Sequence, residues 1–233
     1  MKNAFTLAEV LITLGIIGIV AAMTLPAVIN NARNKQLETG LKRSYSLISQ
    51  ALDMYQSETG ERITAENLKN HELKPILMKY LHTVEDCGWG ARSASESCIP
   101  NINHSSYDKD NNRTRGTYKT YNGSKNIDIQ MFDDGQFVLN DGSLVLLENF
   151  SSGRLYISVD VNGYNKNPNR LGHDLFMFQI DKQGALLPMG AEGTTYNLKN
   201  GPFCSIASSN SLNGAGCTYN ALTDKDFFKN LPK

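Results

Sequence analysis

The most chemical-looking loop is Asp160-Val161-Asn162-Gly163-Tyr164-Asn165-Lys166-Asn167-Pro168-Asn169-Arg170-Leu171-Gly172-His173-Asp174. Asp160, Asn162 and Asp174 offer hard oxygen atoms of the type calcium prefers, which makes the loop a candidate calcium site. It is not an EF-hand loop, because its sixth position is Asn165 where that motif needs Gly and its twelfth is Leu171 where it needs Glu. The competing reading is structural, since Asn, Asp, Gly and Pro are what any compact loop uses.

Catalysis finds little footing. His71, His82, His104 and His173 are scattered, without an HExxH pair, a GxSxG elbow or a glycine-rich phosphate loop anywhere in the chain. The adjacent acids Asp133 and Asp134 occupy a predicted turn and are read as turn formers rather than as an acid/base pair. No enzymatic activity is expected and no cofactor is required, calcium being the one candidate ion. Lysine plus arginine and aspartate plus glutamate each number 23, so the formal charge is zero and gives no electrostatic reason to expect nucleic acid as a partner. The small basic patch Arg113-Thr114-Arg115 with Lys119 is read as a solvated loop.

Cys87, Cys98, Cys204 and Cys217 form two local pairs, with ten and twelve residues between partners. Neither pair has the CxxC spacing of a zinc site. Two disulfides, Cys87–Cys98 and Cys204–Cys217, are the preferred reading over four buried thiols, each stabilising by roughly 3 kcal/mol in the loop-closure model. Disulfides imply an oxidising compartment. Trp89, inside the first cysteine loop, is expected to be a packing plug rather than a ligand platform.

Elements that could position these groups follow from periodicity. Leu37, Leu41, Tyr45, Ile48, Leu52 and Tyr55 recur at spacings of three and four, opposite Lys35, Glu38, Lys42 and Arg43, which predicts an amphipathic helix ended by Gly60. Leu73, Ile76, Leu77, Tyr80 and Leu81 suggest one or two short helices between Glu66 and Asp86, with Pro75 in a first turn. Cys87 to about Arg115 is loop. From Thr117 the texture changes to short strands: Ile127 to Phe132, Gln136 to Leu139, Ser143 to Asn149, Arg154 to Val159, Leu175 to Ile180 and Ala185 to Leu187. Turn signals separate them at Asp134-Gly135, Asp141-Gly142, Ser152-Gly153 and Gln183-Gly184. The residues beyond about 200 are expected to be irregular and dependent on their staple. The fold class is α+β: a long N-terminal helical spine packed on an antiparallel β-meander head with disulfide-stapled loops.

The spine begins in an apolar run from Phe5 to Leu25, long enough at about 1.5 Å per helical residue to cross a hydrocarbon layer of roughly 30 Å. It is longer than the apolar part of a secretory signal, and the small residue Ala4 precedes it where a cleaved signal has its small residues afterwards. Glu9 interrupts it, and an unpaired acid deep in lipid costs roughly 2.5 to 3.5 kcal/mol, so it needs a partner. Cutting after Ala4 creates a cationic amine on Phe5, four residues before Glu9 and on the same helix face. The alternative is a plain single-pass anchor with a tolerated interfacial acid. Pro26 is expected to kink or loosen the helix.

Ala4-Phe5-Thr6-Leu7-Ala8-Glu9-Val10-Leu11 resembles the processing site of class III signal sequences, shared by type IV prepilins and the pseudopilins of type II secretion. The resemblance implies that a prepilin peptidase cuts between Ala4 and Phe5 and N-methylates Phe5, and that Glu9 pairs with the terminal amine of a neighbouring subunit. Gly15, Gly18 and Pro26 fall where that family places helix-loosening residues. Some pseudopilins resembling this chain carry calcium in a comparable loop between strands. Two departures are Ala4 where Gly is usual and a leader, Met1-Lys2-Asn3-Ala4, with one basic side chain.

The resulting expectation has four parts: leader 1–4, membrane and filament-core helix 5–29, amphipathic continuation 30–57 and globular head 58–233. Expected partners are copies of this chain or other pilin-like subunits, the peptidase, an inner-membrane assembly platform and membrane lipid. Charge flanking the apolar run, Lys2 before it and Arg33, Lys35, Lys42 and Arg43 after it, would by the positive-inside rule put the head in the cytoplasm. The cysteines and the processing motif oppose this and place it outside. A tip-located binding subunit and a tethered domain that never polymerises are the alternatives to a filament subunit.

Overall fold

The computed structural model describes residues 6–89, 95–99, 118–149, 153–199 and 201–232. Contacts divide the chain into two units, Met1–Gln36 and Leu37–Lys233. Helix α1, Leu7–Thr59, has residues in both and includes Pro26 without a break.

In the first unit every residue from Thr6 to Ala32 is exposed. Leu7, Ile12, Ile17 and Met23 each leave more than half of their surface uncovered. Hydroxyls within this apolar run are satisfied locally. Thr13 Oγ1 donates to the carbonyl of Glu9 at 2.9 Å and Thr24 Oγ1 to that of Val20 at 2.9 Å. Such back-bonding removes the desolvation cost of a hydroxyl in an apolar setting.

In the second unit α1 buries Leu37, Leu41, Ser44, Ile48 and Ala51. Their alternation of four and three residues makes one stripe. Tyr45, Leu52 and Tyr55, expected on that face, flank it half-buried. The helix ends as predicted at Gly60, whose φ of +81° suits glycine and whose N–H closes on the Gln56 carbonyl at 2.8 Å. Helix α2, Leu73–Tyr80, has Pro75 in its first turn.

Six strands follow, β1 Thr83–Asp86, β2 Gln136–Leu139, β3 Leu144–Glu148, β4 Tyr156–Asp160, β5 Leu175–Ile180 and β6 Leu186–Pro188. They form one sheet in the order β1-β2-β3-β4-β5-β6, every neighbour antiparallel, which is the expected meander. The sheet is buried on both faces. Phe137, Leu147, Ile157 and Phe178 belong to the core that includes Leu41 and Ile48 of α1, while Val138, Leu146, Tyr156 and Met177 join a second core with Tyr118, Leu171 and Met189. Both disulfides, Cys87–Cys98 and Cys204–Cys217, are present, and there are no free cysteines among the described residues.

Three expectations are corrected. Ile127 to Phe132 is not a strand but contains a 3-10 turn at Ile129–Met131, started by Asp128, whose carboxylate accepts the Gln130 N–H at 3.2 Å. Between Glu66 and Asp86 the expected short helix is α2, but the segment ends in the edge strand β1, which was not expected, because β2 offers a free edge for Thr83, Glu85 and Asp86 to pair with. The C-terminal tail is not all irregular: it carries helix α3, Cys217–Thr223, and a second 3-10 turn at Phe227–Lys229.

Candidate functional site

Ala4 and Phe5 lie outside the described residues. Glu9 is in the first turn of α1. Its Oε2 accepts the backbone N–H and the hydroxyl of Thr6, both at 2.8 Å, while the Glu9 N–H donates to Thr6 Oγ1 at 3.3 Å. This reciprocal arrangement is a capping box, which satisfies donors at a helix start. Thr6 is a residue that sequence reasoning missed, although Thr-x-x-Glu before an apolar run is the signature of that motif. Gly15 and Gly18 have open space around them, and Pro26 stands inside the helix.

The loop between β4 and β5 brings Asp160 and Asp174 together, both fully buried. At its neck the Val161 N–H donates to the Asp174 carbonyl at 2.9 Å. Asp160 Oδ1 accepts from the N–H groups of Asn162 at 3.2 Å and Gly163 at 2.9 Å, and its Oδ2 accepts the Tyr118 hydroxyl at 2.6 Å. Asp174 accepts the N–H of Arg170 on Oδ1 and that of Asn169 on Oδ2, each at 2.8 Å. Burial, and after it the charge of Asp174, pushes the Asp160 carboxyl up to about 8.

Amide oxygens complete the picture. Asn162 donates its Nδ2 to the carbonyls of Lys166 at 3.1 Å and Asn167 at 3.3 Å, and Asn169 donates its Nδ2 to Tyr164 at 2.9 Å. The Oδ1 atoms of both asparagines are buried and have no hydrogen-bond partner among the described residues. Leaving a buried acceptor unsatisfied costs about 1 to 3 kcal/mol. Two buried carboxyl groups and two orphaned carbonyl-type oxygens in one loop are hard oxygen donors of the kind that calcium takes. Asn169 extends the sequence-derived set of Asp160, Asn162 and Asp174. Its φ of +50° puts it in the left-handed region that asparagine tolerates, and nothing in the local sequence singles it out from its neighbours Asn165 and Asn167.

A second acidic group was not legible in sequence. Asp133 and Asp134 lie in the short connection before β2, where Asp134 Oδ2 accepts the Asn149 N–H at 2.9 Å. Glu148, at the end of β3, is brought to them, so that one oxygen from each of the three lies within 4.8 Å of the others. Burial, then the charges of Asp134 and Asp133, pushes Glu148 up to about 8 against the pull of Arg154. Burial and its acidic neighbours thus favour the neutral form of Glu148. The strand pairing sets the two acidic groups at opposite ends of the β3–β4 ladder, which runs from Leu144 opposite Asp160 to Glu148 opposite Tyr156.

Trp89 is not a buried plug. It is 44% exposed, its ring meets His71 edge-on at 5.0 Å, and the Lys74 ammonium lies 4.8 Å from the ring centre. Lys74 is itself buried, paired with Asp86 and bonded to the Gly88 carbonyl at 2.8 Å. His173 is buried with Nε2 2.9 Å from the Tyr121 carbonyl, while His104 and Arg113 to Arg115 lie outside the described residues. Lys119 serves through its backbone, donating to the Asn169 carbonyl at 2.8 Å.

Residues 1–25 match the family described as the prokaryotic N-terminal methylation motif, the class III signal of type IV prepilins and pseudopilins. No curated protein and no solved structure matches the chain. The motif, which overlaps the start of a helix long and apolar enough to cross a membrane, points to a membrane-anchored structural subunit of the pilin type.

Proposed function

We propose that the chain is a filament subunit, cut between Ala4 and Phe5 by a prepilin peptidase, N-methylated on Phe5 and polymerised through α1. The observation that carries this reading is the methylation motif, residues 1–25, running into a helix whose large apolar side chains are uncovered from Leu7 to Ile29. In the inner membrane of a bacterium lipid covers that surface; in a filament, equivalent helices of neighbouring copies do. Because lipid and neighbouring helices are equally apolar, the exchange is driven by close packing and by polar contacts rather than by hydrophobicity. Glu9 supplies the polar contact: its carboxylate meets the Phe5 amine of an adjacent subunit and sets the axial stagger. Two disulfides support an extracytoplasmic position for residues 37–233. Mass spectrometry of the native amino terminus tests the reading. The expected mature chain begins at methylated Phe5, and a chain still beginning at Met1 overturns it.

A second reading concerns the 160–174 loop, and the orphaned oxygens of Asn162 and Asn169 favour it. We infer that the loop takes one calcium ion. Asp160, Asn162, Asn169 and Asp174 would hold it, and the ion would supply the positive charge that two buried carboxylates lack. Melting in calcium against melting in chelator tests this: the midpoint is expected to rise with calcium, and an unchanged midpoint overturns the inference.

A further inference from the structure

The four oxygen donors of the 160–174 loop come from two arms held by different parts of the fold. Asp160 and Asn162 belong to the outgoing arm, which prolongs β4; Asp160 is still in register with Leu175 of β5. This arm rests on the β2–β3 turn, where a methyl on Gly163 would come within 2.3 Å of the Gly142 carbonyl oxygen. Asn169 and Asp174 belong to the return arm. One side of it is tied to Lys119, whose N–H donates to the Asn169 carbonyl at 2.8 Å and whose carbonyl accepts the Leu171 N–H at 2.9 Å.

The other side of the return arm rests on the loop closed by Cys204–Cys217. Gly172, at φ +83°, faces Cys217 so closely that a methyl there would lie 2.8 Å from Cys217 Cβ and 3.0 Å from its Sγ. Gly214, at φ +118°, faces the Leu171 carbonyl oxygen, which a methyl would meet at 2.2 Å. Two consecutive residues of the arm thus face this loop closely, Leu171 against the Gly214 backbone and Gly172 against the Cys217 side chain, so that one of the two contacts is made by the disulfide itself. From these contacts we propose that the Cys204–Cys217 disulfide is a positioning element for the cation site: it fixes the return arm at Gly172 and so holds Asn169 and Asp174 where they meet Asp160 and Asn162.

This proposal rests on the calcium reading above. It sets the disulfide among the groups that orient ligands without touching the ion, whose removal costs about 10- to 100-fold in affinity. The opposing case is that hydrogen bonds alone keep the 204–217 loop in place, since Gly214 and Gly216 both donate to the Phe203 carbonyl, at 2.7 and 3.2 Å.

The test uses the full chain in detergent, wild type and the double variant Cys204→Ala/Cys217→Ala, titrated calorimetrically with calcium chloride and melted in chelator and in calcium. The expected result is an affinity at least about tenfold weaker in the variant, with a smaller rise of the melting midpoint on adding calcium. A variant that melts lower in chelator but keeps the wild-type affinity and the wild-type rise shows a staple that only stabilises, and overturns the proposal. A wild type that does not bind calcium overturns the calcium reading and this proposal together, which distinguishes the two failures. Should the double variant not fold, Gly172→Ala keeps the disulfide while forcing Cys217 and the arm apart. It is expected to lose affinity to a similar degree, and unchanged affinity there overturns the proposal.

Discussion

Glu9 binds Thr6 through a single oxygen, Oε2, which takes both the backbone N–H and the hydroxyl of that residue at 2.8 Å. The acid is thus satisfied within its own helix before any other subunit is present. Its two roles, helix cap and charge partner, separate by substitution. Glu9→Gln retains an acceptor at the capping-box position but removes the charge, whereas Glu9→Ala removes both and costs the helix start about 1 kcal/mol. If the charge sets the stagger between subunits, Glu9→Gln stays at wild-type level in the membrane and yields no sheared filaments. Wild-type filament yield from that variant would leave Glu9 as a cap alone.

Legibility in the sequence followed the range of the forces involved. The stripe of α1, its stop at Gly60 and strands β2 to β5 were readable because local periodicity and turn glycines specify them. Edge strand β1 was not, since Thr83 to Asp86 becomes a strand only where β2 offers it partners. The second core was not read, although the unbroken apolar runs Leu144 to Leu147 and Leu175 to Phe178 are what a sheet covered on both sides requires. At the candidate site, Asp160 and Asp174 were visible as types in one loop. Glu148 facing Asp134, and Gly172 against Cys217, arise from contacts between distant segments that no local pattern carries.

Glu148 carries a pH prediction. Its folded carboxyl sits near 8, above the ordinary range, so the fold binds a proton that the unfolded chain releases at about pH 4 to 5. The stability from keeping it neutral is fully present below that range and is lost as pH rises towards about 8. The groups facing it are Asp133, Asp134 and Arg154. Asp160 slopes the same way. In chelator, the melting midpoint is therefore expected to fall between about pH 5 and about pH 8, and Glu148→Gln to flatten part of that slope, because the amide stays neutral throughout. A Gln variant with the full wild-type slope would mean that Glu148 ionises freely in the fold.

Tyr45 of α1 stacks on Phe178 of β5 with ring centroids 5.6 Å apart and planes 21° from parallel. Phe178 is fully buried and Tyr45 half-buried. Phe178→Ala is expected to cost about 3 to 5 kcal/mol in denaturant unfolding, the range for a large aromatic removed from a packed core. Tyr45→Leu, which keeps most of the apolar area and loses the stacked ring, should cost about 1 kcal/mol. No loss from Tyr45→Leu would show that the stacked pair contributes nothing to stability.

Gly40 ties the helix to the 160–174 loop. A methyl added there would lie 3.0 Å from Val161 Cβ and 3.3 Å from its Cγ2, and Val161 stands between Asp160 and Asn162. In an exposed helix interior Gly→Ala stabilises by roughly 0.5 to 1 kcal/mol through lower backbone entropy. Here the neighbour cannot retreat freely, because Val161 Cβ moves only with its backbone and the Val161 N–H is held by the Asp174 carbonyl at 2.9 Å. Overpacking of this kind costs about 1 to 3 kcal/mol, which exceeds the propensity gain, so Gly40→Ala should be net destabilising. Val161→Ala removes the two Cγ methyls but leaves the Cβ at 3.0 Å, so in combination with Gly40→Ala it should recover part of the loss and not all of it. Denaturant unfolding of the two single variants and the double variant closes the cycle, with a coupling of about 0.5 kcal/mol or more expected. Additive effects would place the two residues out of contact in solution and detach the loop from the helix.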